Sequence, residues 1–177
     1  MPNYRRALIP GGTYFFTVNL LQRRDNNLLI RVINLRRETV RKVRKSHPFY
    51  IDAWVVLPDH LHCAWTLPPD DSNFSLRWGL IKSGFSRSLP KNGKTHHKVR
   101  KAAGERGIWQ RHFCEYVIRD DLDYQRHVDY IHVNPLKHGY VKRIIDWPYL
   151  TFHHYVARGI YLPNWCCDIN NSVDGDE

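Results

Sequence analysis

The stretch VVLPDHLHCAWTL, residues 55–67, decides how the rest of the chain is read. It has the pattern strand, tight turn, strand. Pro58-Asp59 ends the first run, because proline fixes φ and offers no amide to a ladder. Beyond the turn, His60, His62, Ala64 and Thr66 alternate with Leu61, Cys63, Trp65 and Leu67, and side chains on a strand point to opposite faces with period two. The set Leu61, Cys63, Trp65 and Leu67 is expected in the core, which leaves both imidazoles standing together on the other face. Two neutral imidazoles on one strand face can ligate a single divalent ion. The alternative is a pair of surface histidines on a half-exposed strand. In a chain with 11 His, an H-x-H alone does not separate the two.

Working outward, the strand before the turn is expected over Phe49–Leu57 and the one after it over His60–Leu67. Upstream, Gly11-Gly12 marks a turn, and TYFFTVNL (13–20) is rich in β-branched and aromatic residues and reads as a first strand. Between them, Leu28, Val32, Leu35, Val40 and Val43 fall near helical spacing over residues 28–45. The intervening Arg31, Arg36, Arg37, Arg41, Lys42, Arg44 and Lys45 are expected to form a basic outer face. Downstream, Pro68 to Ser72 is a loop, and Ser72 or Asn73 caps a helix expected over Phe74–Leu89. Residues 89–107, LPKNGKTHHKVRKAAGERG, form a polar, basic connection. IWQRHFCEYVI (108–118) reads as a fourth strand, and a helix follows over Asp121–Val133, opened by acids that complement its dipole. Gly139 is a natural stop. The order β, α, β, β, α, β, α is that of a split βαβ sheet with packed helices, an α+β arrangement. One domain is expected over 1–165, including an aromatic C-terminal segment, and a disordered acidic tail over 166–177.

Composition narrows the function classes. The chain is 42% hydrophobic and 13% aromatic, which excludes disorder throughout. Its net charge is +10, but the last ten residues hold four acids and no Lys or Arg, so the first 167 carry a formal +14, 27 bases against 13 acids. A body this basic, with six Trp and ten Tyr, suits a nucleic acid. No run approaches the roughly 20 apolar residues of a membrane span, and the N-terminus lacks a signal-peptide pattern, so a cytoplasmic protein is expected. Cys63, Cys114, Cys166 and Cys167 show no C-x-x-C spacing and are expected to be reduced core residues.

On a 3.6-residue wheel the last helix places Tyr124, Val128 and Ile131 on a buried stripe. Asp123, His127, Tyr130 and Asn134 share another side. A phenol beside an amide and an imidazole fits a nucleophile near a metal, though a tyrosine at the core edge gives the same wheel. Pro135 leaves open whether Asn134 ends this helix or caps a further turn.

HLH after an apolar strand, followed on a later helix by YIHVNPLKHG (130–139), resembles the HUH single-tyrosine transposases of bacterial insertion sequences, and within them the REP-associated tyrosine transposases. The resemblance runs through YRRALIPGGTYFFTVNL (4–20), AWVVLPDHLHCAWTLP (53–68), WQRHFCEYVIRD (109–120), HVDYIHVNPLKHGYV (127–141) and DWPYLTFHHYVARGIY (146–161). The loop 89–107 is longer than is usual in the family. The resemblance implies a ferredoxin-like HUH-endonuclease fold with a central antiparallel sheet. It implies that His60 and His62 hold Mg²⁺ or Mn²⁺, that Asn134 stands where relatives place a polar third ligand, and that Tyr130 is the nucleophile. The implied activity is cleavage and joining of single-stranded DNA at hairpins of repetitive extragenic palindromes through a 5′-phosphotyrosine. His127 and a metal-bound water are candidates for the base. Tyr4, Arg5 and Arg6, with Arg36, Arg37 and Arg41 on the basic helix and Lys91, Lys94, Lys98, Arg100 and Lys101 in the loop, are candidate DNA contacts. Monomer and homodimer both remain open. A DNA- or RNA-hairpin-binding protein that uses the fold without the chemistry is the competing reading, and a phosphodiesterase releasing a free 5′-phosphate is a third.

Overall fold

The computed structural model describes residues 7–91 and 106–166. Four strands, β1 (Thr13–Asn19), β2 (Tyr50–Val56), β3 (His60–Thr66) and β4 (Cys114–Val117), form one sheet in the order β2-β3-β1-β4. Every neighbouring pair is antiparallel. This is the split βαβ order expected from the sequence. In β1, Tyr14, Phe16 and Val18 are buried and alternate with half-buried residues, as a strand between two layers requires.

Two cores result, one on each face. Helices α2 (Ile33–Ser46) and α3 (Phe74–Ser88) cover the first, where Phe16, Trp54, Trp65, Trp78 and Phe85 meet. Helix α4 (Asp121–Lys137), a 3-10 turn (Ile144–Asp146) and α5 (Phe152–Ala157) cover the second, around Val55, Ala64, Val128, Ile131 and Phe152. Both faces of β3 are therefore buried. The outer edge of β2 is closed by residues 149–151, through Val56 N to Tyr149 O and Thr151 N to Trp54 O. Asn73 Oδ1 accepts from Leu76 N to cap α3, and Asp120 Oδ1 from Asp123 N to cap α4.

Four segments differ from the sequence reading by more than a single terminal residue. The helix expected over 28–45 is broken into α1 (Leu28–Arg31) and α2 at Val32, whose φ of −116° is not helical. The break is fixed where Leu29 N donates to Pro58 O, which docks α1 on the β2–β3 turn. The fourth strand is four residues long rather than eleven. Trp109 bridges Leu20 and Gln110 N donates to Asn19 O, but the pairing slips by two residues between that bridge and the Thr17–Cys114 pair, so the polar Arg111 and His112 lie in a bulge of the ladder. Helix α4 runs on to Lys137 with Pro135 inside it, stopping at Gly139, whose φ is +72°. At the tail, Trp165 and Cys166 pack against the second core, and residues 167–177 lie outside the described region.

Of the cysteines, Cys63 is buried as expected, whereas Cys114 is exposed because only a short edge strand carries it; both, with Cys166, are free thiols. Among the described residues no helix is long and apolar enough to cross a membrane.

Candidate active site at the histidine strand and the tyrosine helix

The alternation in β3 puts His60 and His62 on the α4 face, where their rings lie edge to face with centroids 5.0 Å apart. Neither is a surface histidine: they are 4% and 5% exposed. Each is oriented through Nδ1. His60 Nδ1 lies 2.6 Å from Asp59 Oδ1, while Arg23 Nε donates to the other carboxylate oxygen, also at 2.6 Å. His62 Nδ1 lies 2.8 Å from Thr17 Oγ1, its cross-strand neighbour on β1. Holding both rings by Nδ1 leaves Nε2 of each available to a ligand, as in the usual outer-shell arrangement of metal-binding histidines.

Helix α4 brings the second half. Tyr130 is 38% exposed, and its ring meets that of His62 edge to face at 5.4 Å. Phe15 of β1 packs against His62, Tyr130 and His127, with centroid distances of 5.7, 5.9 and 5.0 Å. One turn beyond Tyr130, Asn134 is fully buried. Its Nδ2 donates to Tyr130 O at 2.8 Å, and its Oδ1 is buried with no partner. Lys137 Nζ stands 5.2 Å from the centre of the Tyr130 ring, and the His138 ring lies 5.4 Å from that of His60. A cleft of about 440 Å³ lined by Arg23, Asp59, His60, His138 and Tyr140 opens beside this group. A larger cleft, about 620 Å³ between α3 and residues 106–112, contains neither the histidine pair nor Tyr130.

Electrostatics suit a ligand set. Burial, helped by His60 and His138, drives the His62 imidazole from 6.5 down to about 3. Burial also lowers His60, with Asp59 opposing. Both rings are thus neutral near pH 7, as ligation needs. Burial alone would raise the Asp59 carboxyl, but hydrogen bonds from His60 and Arg23 outweigh it and hold it below the ordinary carboxylate range.

The residues present fit a divalent ion. Among the described residues no group of three His, Cys, Asp or Glu forms a ligand set, so a third protein donor has to be of another kind. The orphaned Asn134 Oδ1 is a candidate of that kind: an amide oxygen whose burial without a partner costs free energy unless something positive takes it up.

The structure brings His60, His62 and Tyr130 together and places Asn134 beneath the tyrosine, inside the helix rather than at its cap. It does not bring His127 to the phenol. His127 Nδ1 is tied to Asp123 O at 2.8 Å and its ring stacks on Tyr116 at 4.8 Å. The expected DNA contacts divide. Arg37, Arg41 and Lys91 are exposed. Arg36, expected on the outer basic face, is buried at 8% exposure, because it shares the i, i+4, i+7 face of Val32, Val40 and Val43. Tyr4, Arg5, Arg6, Lys94, Lys98, Arg100 and Lys101 lie outside the described residues. Thr17, Arg23, Asp59, Lys137 and His138 are site residues that the sequence reading missed. Lys137 and His138 follow Tyr130 by seven and eight positions, so a wheel carried past Val133 finds them.

No family model matches the chain. Curated relatives and solved structures do. A REP-associated tyrosine transposase of Escherichia coli (strain K12) is 48% identical over 176 residues, covering 99% of this chain and 98% of that protein. A Haemophilus influenzae protein provisionally given the same name is 43% identical over 176 residues, covering 99% of each. A solved REP-associated tyrosine transposase bound to a REP hairpin is 46% identical, covers 100% of this chain and 98% of its own, and superposes with a TM-score of 0.81. With its four-stranded antiparallel sheet matched by that structure and its sequence aligned over nearly its full length, the chain belongs to the REP-associated tyrosine transposases.

Proposed function

We infer that this chain is a metal-dependent single-strand DNA endonuclease and strand transferase that works at hairpins of repetitive extragenic palindromes through a 5′-phosphotyrosine. The observation that carries the reading is the half-exposed Tyr130 phenol set against His62, which with His60 forms a buried pair held by Nδ1. A core-edge tyrosine needs no such neighbours, and hairpin binding alone needs neither buried histidine. The hairpin substrate is supported by the solved relative, which is bound to one.

Mg²⁺ or Mn²⁺ held by His60, His62 and Asn134 would offset charge on the non-bridging oxygens of the scissile phosphate. Two nitrogen donors suit Mn²⁺ better than the oxygen-seeking Mg²⁺. The chain's own groups do the rest. Tyr130 Oη forms the new bond to phosphorus as the bond from phosphorus to the 3′ oxygen breaks. The 5′ phosphate stays on the tyrosine, and the departing oxygen takes up a proton to become a 3′-hydroxyl. Tyr130 Oη has no hydrogen bond to any described residue, so its own proton leaves through the solvent to which the side chain is open. Lys137 supplies positive charge over the ring as the phenolate forms. Since the phosphodiester energy is kept in the covalent link, a second 3′-hydroxyl reverses the step and joins strands.

The test is incubation of the chain with single-stranded palindrome hairpins and Mn²⁺, resolved on a denaturing gel. A slow-migrating species that protease treatment collapses is expected. Cut DNA with a free 5′-phosphate and no such species would make the protein a hydrolase, and retained binding without cutting would leave hairpin recognition alone.

A further inference from the structure

On the opposite face of the sheet from the histidines, a cleft of about 390 Å³ opens between α2, the edge strand β2 and residues 149–154. Its charged lining is of one sign. Arg36, Arg37, Arg41 and Arg44 border it, and no Asp or Glu does. At its floor Arg36 is buried, and among the described residues no carboxylate pairs with it and its Nε has no hydrogen-bond partner. The guanidinium lies over the face of Trp54, with Cζ 5.0 Å from the ring centre. Trp54 Nε1, another buried donor, also lacks an acceptor.

A guanidinium taken out of water without a counter-charge is costly, and a ring face returns only part of that cost. Burial, then the neighbouring Arg37, lowers Arg36 from 12.5 to about 10, so its surroundings resist the charge they hold. A donor-rich, acid-free cleft is completed by an anionic acceptor. Guanidinium presents a planar fork that matches two oxygens of a phosphate. Arg37 and Arg41, exposed and one turn apart along the same helix, supply charge at the rim.

We propose that this cleft is a phosphate-binding site, with Arg36 as its buried donor and Arg37, Arg41 and Arg44 around its mouth, taking a phosphate of a nucleic acid backbone or of a free nucleotide. It does not depend on cleavage at Tyr130. The whole α2 face then carries a second, separate anchor, so a nucleic acid held at both sites has to pass around the β2 edge.

Thermal melting of the full chain tests this, in inorganic phosphate against chloride at matched ionic strength. The wild-type melting temperature is expected to rise in phosphate. Arg36→Met keeps the side-chain length and removes the charge. It is expected to melt higher than wild type in chloride and to lose most of the phosphate response. Should Arg36→Met fail to fold, the exposed pair Arg37→Ala with Arg41→Ala is expected to weaken the response instead. An equal phosphate response in wild type and in the folded variants would overturn the site. Two further titrations identify the source. A several-fold loss of hairpin affinity in Arg36→Met makes the ligand a backbone phosphate. Unchanged hairpin affinity with loss of the ATP-induced melting shift makes it a free nucleotide.

Discussion

His62 on β3 and Tyr130 on α4 meet edge to face, with ring planes 73° apart. The pair joins the two halves of the site, and neither is placed by its own element alone. Phe15 of β1 touches both, and Thr17, two residues further along the same face of β1, holds His62 by Nδ1. Strand β1 therefore sets the distance between the histidine pair and the tyrosine.

The first prediction concerns that strand. Thr17→Val is close to isosteric and removes only the oxygen at His62 Nδ1. Loss of an outer-shell partner typically lowers metal affinity about 10–100-fold. Calorimetry with Mn²⁺ should show a loss in that range, with an unchanged circular dichroism spectrum. Wild-type Mn²⁺ affinity in the variant would mean that the hydroxyl does not orient the ring.

Asn134 gives the second. Asn134→Asp keeps an oxygen where the orphaned Oδ1 lies and should retain Mn²⁺ binding, whereas Asn134→Ala should weaken it. Asn134→Ala also removes the donor to Tyr130 O, at a stability cost of about 1–3 kcal/mol. If the alanine variant loses stability but binds Mn²⁺ as tightly as wild type, the amide is structural and the third donor is elsewhere.

Much of this was legible in the sequence, for physical reasons. Period-two alternation in HLHCAWTL fixes which side chains share a face, and the order of elements suffices for a split βαβ sheet. What was hidden depends on register or on context. Thr17 becomes a partner of His62 only once β1 is aligned on β3. Lys137 and His138 were lost because Pro135 reads as a terminator, yet the helix carries it through its last turn and goes without the amide that proline lacks. Arg36 looked like one more base on a basic helix, and only the packed helix shows it lying over Trp54. The run 108–118 is uniformly strand-like in composition, and the bulge within it follows from how Leu20 pairs with Trp109.

Acid should destabilise the fold through its buried histidines, the third prediction. Burial drives His132, fully buried beside Phe152 and Tyr155, from 6.5 to about 3, as it does His62. As pH falls below 6.5 the unfolded chain takes up these protons and the folded chain does not. The stabilisation present above pH 6.5 is therefore lost between 6.5 and about 3, at ~1.4 kcal/mol per pH unit for each such histidine. Asp52, whose carboxyl is raised by burial, works in the opposite sense in the carboxylate range. Urea midpoints measured in EDTA should fall from pH 7 to pH 5, and less steeply in His132→Leu. A midpoint that rises over that interval would contradict neutral burial.

The fourth prediction follows from charge. Hairpin affinity should decline with salt at a log–log slope of about −0.7 for each phosphate neutralised on single-stranded DNA. With the first 167 residues at +14, several phosphates should be counted. A slope near zero would remove Arg37, Arg41 and Lys91 as contacts.

The central claim is that Tyr130 becomes joined to DNA, and peptide mapping of the trapped complex tests it most directly. Tyr130→Phe deletes one oxygen, keeps the ring against His62 and Phe15, and should leave folding and hairpin binding nearly unchanged. The account predicts that mass spectrometry finds the DNA of the wild-type complex on the peptide containing Tyr130, and that the Phe variant, lacking a nucleophilic atom, forms no adduct. DNA found on Tyr116 or Tyr124, or an undiminished adduct in Tyr130→Phe, would contradict it.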